Sequence, residues 1–453
     1  MKAAISLKNL PKFTFRKGIH PPEYKSYAEH QAIEVLPTPD TVRIPLLQHL
    51  GAPAKVSIEP RAAVKVGDII AESGGFISTN LHASVSGKTA REGIITLPNG
   101  RRVTTIPIKA DPEQELEGDA LKQAFLGGDW NVNLDEIDAS SISKAALQAG
   151  IVGMGGAAFP SHVKLMRNDD RPITDLIING CECEPFLTAD HRLMLESPQS
   201  ILAGALIARH ATGATRISIC IEDNKPDAIQ TMIHAIGDRD IDVKIMRSKY
   251  PQGGEKSLVM AALGKAIPTG GLPLDVGVVV LNVGTVASLA RMVLRGMPLT
   301  HRIVTVTGPG VVHPKNLLVP IGTDFETVLQ YCGGLKEEAA RIIAGGPMMG
   351  FSVTDLSTPV TKGTSGITVL TAKELNAAAT TACVRCGLCV DTCPLDLVPT
   401  KLAMAARYKH LEVLQRYHVD ACMECGCCAY QCPANIPLVQ LIRAGKIYNR
   451  THS

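Results

Sequence analysis

The sequence predicts a multidomain α/β protein: a β-rich segment, an alternating α/β core, a small mixed module and a helical, cysteine-rich end. Three observations support this. The chain has 453 residues, which corresponds to about three domains at roughly 150 residues each. Hydrophobic residues make up 45% and charged residues 20%, a balance that builds cores and excludes general disorder. The hydrophobic pattern also changes along the chain, from short alternations to strands interleaved with helices, and then to helical spacing around clustered cysteines.

Composition excludes several function classes. Lys and Arg number 46 against 43 Asp and Glu, and aromatics are 4%. That is too balanced and too poor in stacking platforms for a nucleic-acid binder. No apolar run reaches the ~18 residues of a membrane span; the run Val276–Leu281 stops at Asn282. Met1–Pro11 contains no apolar signal segment, so the expectation is a soluble protein that stays where it is made.

Residues 1–31 read as a basic arm. In the first 25, Lys2, Lys8, Lys12, Arg16, Lys17 and Lys25 face the single acid Glu23. Such a segment is either solvated or docks on a partner or anionic surface. From 32 to 110, short alternations such as Ala54–Ile58, Val66–Ile70 and Ile94–Leu97, with a turn at Asn99-Gly100, predict a β-rich, barrel-sandwich-like domain. The acidic stretch 111–138 reads as a linker. In 139–300, short buried strands near Leu176–Asn179, Ile217–Ile221, Val243–Ile245 and Val276–Leu281 alternate with helical periodicity at 198–212, 225–237 and 254–264. That is the signature of a mostly parallel sheet. Residues 301–353 read as a β-grasp module, and 371–453 as helical.

The cysteines give the most specific signal. Nine of the 13 lie between Cys383 and Cys432, in a chain without export information, so metal ligation is expected rather than disulfides. Cys383-x2-Cys386-x2-Cys389-x3-Cys393-Pro is repeated as Cys422-x2-Cys425-x2-Cys428-x3-Cys432-Pro at an offset of 39. This is the spacing of a two-cluster ferredoxin, in which the fourth cysteine of each run ligates the other cluster. Cys383, Cys386, Cys389 and Cys432 are therefore assigned to one 4Fe-4S cluster, and Cys422, Cys425, Cys428 and Cys393 to the second. Cys427 falls outside the spacing and reads as a packed thiol. Leu402, Ala405, Ala406, Leu411, Val413 and Leu414 give the intervening segment a helical reading, and hence an α-helical ferredoxin domain.

A second candidate site begins at the Gly-rich run Gly153-Met-Gly155-Gly156-Ala157-Ala158-Phe159-Pro160, followed by Lys164. Glycines let backbone N–H groups approach an anion. Asn179-Gly-Cys-Glu182-Cys-Glu184-Pro185 falls at the carboxyl end of a predicted strand, where open α/β sheets bind ligands. Tyr250-Pro-Gln-Gly253-Gly254-Glu255 and Asn282-Val-Gly-Thr285 also lie beside strands. Cys181, Cys183, Cys220 and Cys332 are scattered and read as inert, and Met348-Met349 as core filler.

These pieces, with Gly18–Lys25, Gly345–Gly350 and both cysteine runs, carry a family resemblance that spans nearly the whole chain. The sequence resembles the RnfC components of Rnf electron-transport complexes, which are ferredoxin:NAD oxidoreductases, and its α/β core is similar to the flavin-bearing component of respiratory complex I. The resemblance implies a non-covalent FMN on Gly153, Gly155, Gly156 and Ala157, with Lys164, Asn179 and Glu182 near the ring. Asn282 and Thr285 would lie at the phosphate, with Tyr250 and Gly253 also in the cofactor site. Phe159, Glu184 and Glu255 would shape the NADH side, the two acids acting catalytically to place the nicotinamide. It further implies a soluble-ligand-binding β-grasp module, membrane partner subunits, ferredoxin reached through them, and a peripheral position on the cytoplasmic face of the membrane. Two departures from complex I stand out: Ala158 in place of Gly, and Gly254 in place of Glu. The 32–110 region also resembles a lipoyl carrier, but Phe76–Asn80, where a carrier holds its lysine, has none. Two rival readings remain: a cobalamin reductase of diol utilisation, and a relay scaffold without nucleotide binding.

Overall fold

The computed structural model describes residues 10–167, 170–375 and 378–452. Its centre is a five-stranded, all-parallel sheet. The strand order is Lys12–Phe13, Asp242–Met246, Arg216–Glu222, Asp175–Gly180 and Val278–Asn282. Ile178 lies in register with Ile219 on one side and Leu281 on the other. Both faces are covered, so the strands read as near-continuous apolar runs. Helices Pro198–Thr212, Pro226–Ile236 and Glu255–Leu263 correspond to the expected helical stretches, and Val283–Arg295 is a fourth that the periodicity reading did not name. Two of these helices cross tightly at Gly204, where an added Cβ would lie 1.8 Å from the Val286 carbonyl oxygen.

The basic arm is not a free arm. Lys12–Phe13 is the edge strand of the central sheet, Phe15 and Ile19 are buried and Lys25 is 7% exposed. Lys12 pairs with Asp223 and Lys17 with Asp396. Lys2 and Lys8 lie outside the described residues. The 111–138 stretch is likewise not a plain linker. It forms the helix Gly118–Leu126, and its Leu121, Phe125, Leu126 and Trp130 enter the α/β core. Its surface acids concealed four large apolar anchors.

Two β-sheets build the N-terminal domain. Thr41–Pro45, Arg102–Ala110, Gly87–Thr89 and Ala63–Val64 form one, and Lys55–Val56, Ile69–Glu72 and Leu81–His82 the other. Val42, Ile44, Ile70, Leu81, Ile106 and Ile108 fill the space between them. The Asn99-Gly100 turn joins Gly93–Thr96 to Arg102–Ala110, with Gly100 in the left-handed region at φ 82°. The β-grasp module is larger than 301–353. Its six-stranded sheet takes Ile33–Val35 from the N-terminal region and Gly366–Thr371 from beyond 353. Non-local pairing of this kind leaves no periodicity signal at the sequence level.

The C-terminal domain is helical, with Pro399–Arg407, Leu411–Arg416 and Leu438–His452 packed around Leu402, Leu414 and Ile442. The repeat seen in the cysteines is also a repeat of backbone shape. Arg385 and Glu424, Gly387 and Gly426, and Asp396 and Asn435 form pairs 39 apart, and all six have positive φ. No helix among the described residues is long and apolar enough to cross a membrane.

The Gly204 crossing yields a test. Gly204→Ala places a methyl against a backbone carbonyl that cannot rotate away, and overpacking of this kind costs about 1–3 kcal/mol. Thermal unfolding should show a lower midpoint for this variant, whereas Gly237→Ala, which meets no atom within 4 Å, should change it only by the strain of its positive φ.

Candidate functional site

The Gly-rich run lies over the N-terminus of helix Val283–Arg295, which leaves the carboxyl end of its strand. Thr285 fixes this contact: its Oγ1 accepts from the Met154 N–H at 2.9 Å and donates to the Val152 carbonyl at 3.3 Å. Asn282 caps the helix by accepting from Gly284 N–H at 2.8 Å, and its Nδ2 donates to Asp190 at 2.6 Å. A Cβ on Gly155 would lie 3.7 Å from Asn282. Gly156 sits at φ 112° with open space beside it, and Gly155, Gly156 and Ala157 are exposed. The half-buried Phe159 closes the loop, its carbonyl accepting from Gly153 N–H at 2.8 Å. The result is a glycine loop held open above a helix N-terminus, which suits a phosphate-bearing ligand.

Lys164 stands at the side of this loop. Its ammonium pairs with Glu255 and donates to the Val280 carbonyl at 3.1 Å. Asn179 and Gly253 are joined, the amide Nδ2 donating to the Gly253 carbonyl at 2.9 Å, while Gly253 N–H reaches the Cys183 sulfur at 3.2 Å. Glu182, at φ 46°, turns its carboxylate onto the N-terminus of helix Ala189–Glu196 and accepts from Asp190 and His191 N–H groups at 2.8 and 3.1 Å. Burial, and then the Glu182 charge, push the Asp190 carboxyl up to about 7.

The two acids expected on the nucleotide side both have protein partners. Glu255 is held by Lys164. Glu184 accepts from the Met348 and Met349 N–H groups at 2.6 and 3.0 Å. Burial raises its pKa, and these hydrogen bonds oppose the rise. The Gly345–Gly350 turn is therefore a clamp on Glu184, which gives Met348-Met349 a role that the core-filler reading missed. A Cβ on Gly346 would lie 2.0 Å from Glu184 Cγ, so only glycine fits there.

Tyr250 is not on the open side of the loop. It is 1% exposed, and its hydroxyl donates to the Cys425 carbonyl at 2.8 Å. Its backbone bonds Ile19 in both directions at 2.9 Å. Expected as a cofactor contact, Tyr250 instead joins the α/β core to the second cysteine run. Gly254 lies on the same seam, where an added Cβ would meet the Met423 methyl at 3.2 Å. A larger side chain, such as the Glu of complex I, would push against this cysteine loop.

Cys393, Cys422, Cys425, Cys427 and Cys428 line one pocket. Burial and the neighbouring Cys425, Cys422 and Cys393 thiols push the Cys428 thiol up. Cys393 of the first run thus lies beside the cysteines of the second run, with Cys427 in the same lining. In the other set, Cys386 lies close enough to Cys389 to raise its thiol after burial, Cys383 and Cys386 are exposed, and Cys432 is half-buried. Among the described residues, no three His, Cys, Asp or Glu stand in metal-holding geometry. Cys427 packs with Ile19 and Tyr250, its sulfur 3.8 Å from the Tyr250 carbonyl oxygen. Cys181, Cys220 and Cys332 are buried.

Comparison with known proteins finds four family models along the chain. Residues 13–113 match the RnfC barrel sandwich hybrid domain, 146–291 the Nuo51 FMN-binding domain, 303–352 the SLBB domain and 379–436 the 4Fe-4S dicluster domain. The chain is 42% identical over 439 residues to the C component of the proton-translocating ferredoxin:NAD(+) oxidoreductase complex of Clostridium ljungdahlii, covering 96% of this chain and 94% of that one. The chain belongs to the RnfC family. The counterpart in the Na(+)-translocating complex of Acetobacterium woodii is 39% identical, covering 87% of this chain and 88% of its own. The corresponding component of the ion-translocating oxidoreductase complex of Rhodobacter capsulatus is 40% identical, covering 87% and 75%.

Sequence reasoning missed the buried cations beneath this RnfC site. Lys25 and Lys225 are 7% and 2% exposed and both bind main-chain carbonyls of the 181–187 loop. The one signal in the sequence was Lys25 closing the Gly18–Lys25 motif. Arg302 is also buried and contacts the Met154 carbonyl at 3.4 Å.

The Tyr250 seam is testable without cofactor. Tyr250→Phe leaves the Cys425 carbonyl without its donor, a loss of about 1–3 kcal/mol for a buried acceptor. Limited proteolysis should release the C-terminal cysteine domain faster than from the parent protein.

Proposed function

We propose that this RnfC chain is the NADH-linked electron-entry subunit of an ion-translocating ferredoxin:NAD oxidoreductase complex. It holds one non-covalent FMN and two 4Fe-4S clusters. The observation that carries the reading is adjacency: the α/β core that holds an open glycine loop on a helix N-terminus meets, along Tyr250 and Gly254, a pocket lined by cysteines of both runs. Gly153, Gly155, Gly156 and Ala157 offer the backbone approach, with Asn282 and Thr285 at the phosphate. Phe159, Lys164, Asn179, Glu182 and Gly253 surround the ring side. FMN bound there supplies the exchange between the two electrons of a hydride and single electrons carried by clusters.

The chain's own residues do the positioning. Thr285 holds the loop on the helix end. Lys164 is a cation beside the ring position, where it favours the reduced, more negative flavin. Glu255 fixes Lys164, and Glu184 secures the β-grasp turn at the edge of the site. The nicotinamide role first given to Glu184 and Glu255 is thereby narrowed to shaping the NADH side. Tyr250 keeps the Cys425 loop against the core. Cys393, Cys422, Cys425 and Cys428 hold one cluster, and Cys383, Cys386, Cys389 and Cys432 the other. The chain sits peripherally on the cytoplasmic face of the membrane, bound to the other subunits of the complex, and ferredoxin is reached through them. The Lys12, Lys17 and Lys25 cations are taken up within the fold, so that association rests on protein contacts rather than on these bases.

Two measurements test the reading. NADH added to the flavin-loaded chain should bleach its flavin absorbance without any partner; an unbleached flavin would leave a relay scaffold in its place. Iron analysis should give about eight irons per chain, as for two four-iron clusters. Cys393→Ser should remove the same electron-spin signal as Cys425→Ser, leaving the other intact.

A further inference from the structure

The loop that carries Asn179, Glu182 and Glu184 has turned its carbonyl groups inward. The Lys25 ammonium lies 2.7 Å from the Glu182 oxygen, 2.8 Å from the Glu184 oxygen and 2.5 Å from the Leu187 oxygen. An ammonium has three donors, and here three main-chain carbonyls take them. Lys225 continues the pattern, donating to the Cys181 carbonyl at 2.7 Å and to Glu222 at 3.0 Å. Four carbonyls within seven residues are thus gathered on two buried cations. The opposite edge of the loop is correspondingly free: no N–H of Glu182, Cys183 or Glu184 bonds another described residue. The segment bearing Lys25 is itself anchored. Glu23 accepts from the Phe186 N–H at 2.8 Å, the Tyr24 ring stacks on Phe186 with centroids 4.7 Å apart, and Ile19 bonds Tyr250.

Resting on the flavin reading above, we propose that Lys25 is a positioning residue for the cofactor, an internal cation whose three carbonyl contacts turn the 182–184 N–H groups toward the flavin ring. The N-terminal strap exists to deliver this charge. Burying an ammonium is costly unless every donor is satisfied, and burial does lower the Lys25 pKa. A cation kept at such a site, bonded to main chain alone, sets backbone direction rather than pairing with an acid. Nearby Glu182 and Glu222 offset its charge, while the N–H edge is open to the acceptor atoms of the pyrimidine ring.

The test uses the full chain, stripped of flavin and titrated with FMN by fluorescence quenching, with iron content and thermal unfolding measured in parallel. Lys25→Met, which keeps the apolar stem and removes all donors, should weaken FMN binding at least tenfold at unchanged iron content. It should also shift the visible spectrum of the flavin that remains bound toward that of free FMN. Lys25→Gln, with two donors, should fall between Lys25→Met and the parent. A folded Lys25→Met that binds FMN as the parent does, with the same spectrum, overturns the proposal. If Lys25→Met yields no folded protein, Lys25→Gln decides: weaker binding supports the role and parental binding overturns it. A parent chain that binds no FMN refutes the flavin reading instead.

Discussion

Parallel pairing in the central sheet is the constraint on which the site depends. Because its five strands run the same way, every loop leaving a carboxyl end emerges at one edge. Asn179–Pro185 leaves the strand Asp175–Gly180, and Asn282–Thr285 leaves Val278–Asn282. Residues 92 positions apart are thereby brought within hydrogen-bond range, as in the Asn282–Asp190 contact at 2.6 Å. The Gly-rich loop needs no strand of its own. It is carried to the same edge by Thr285, through a single hydroxyl that serves as acceptor and donor at once.

Buried polar contacts then join the domains. The β-grasp turn reaches the core through Glu184, the cysteine domain through Tyr250, and the N-terminal sandwich through Lys362. That last lysine is 1% exposed, donates to the Asn80 and Gly150 carbonyls at 2.6 and 2.7 Å, and is pushed down to about 7 by burial. Lys25 and Lys362 share one chemistry: a long apolar stem passes through packed side chains and ends on main-chain oxygen, and Lys225 adds the Glu222 carboxylate to the Cys181 carbonyl. Such contacts impose direction as well as attraction, because a buried donor left unsatisfied is expensive. They suit a chain whose domains must keep redox sites at fixed separation.

The cysteine domain shows how far a local repeat can determine structure. Each run sets its helix after a glycine in the left-handed region, Gly387 and Gly426, and the equivalent residues on either side repeat the same dihedral sign. The environments nonetheless differ. Gly426 is pressed against the Met348 carbonyl, where a Cβ would lie at 2.8 Å, while Gly387 would meet only the Asp391 carboxylate at 4.0 Å. The second run packs on the β-grasp turn and the α/β core, whereas the first is met by Lys17 and Gly18, although the two spacings are identical.

The sequence by itself determined what local spacing encodes. The cysteine runs marked an iron–sulfur domain, the period of apolar residues located the core strands and three of the core helices, and the glycine run marked the open loop. These signals are short-range, because thiol spacing, helical period and positive φ are properties of a few consecutive residues. What only the tertiary structure decided is long-range. Lys25 carries no mark that separates it from the solvated Lys of a basic arm until three carbonyls from residues 182–187 surround it. Tyr250 reads as a cofactor neighbour until the Cys425 carbonyl is found at its hydroxyl, and Glu184 as a ligand until the Gly345–Gly350 turn closes on it. The strand Ile33–Val35 belongs to a sheet whose other members begin near residue 301. In each case the deciding partner lies more than a hundred residues away, and its position is fixed only when the separate cores pack together and their buried polar groups find one another.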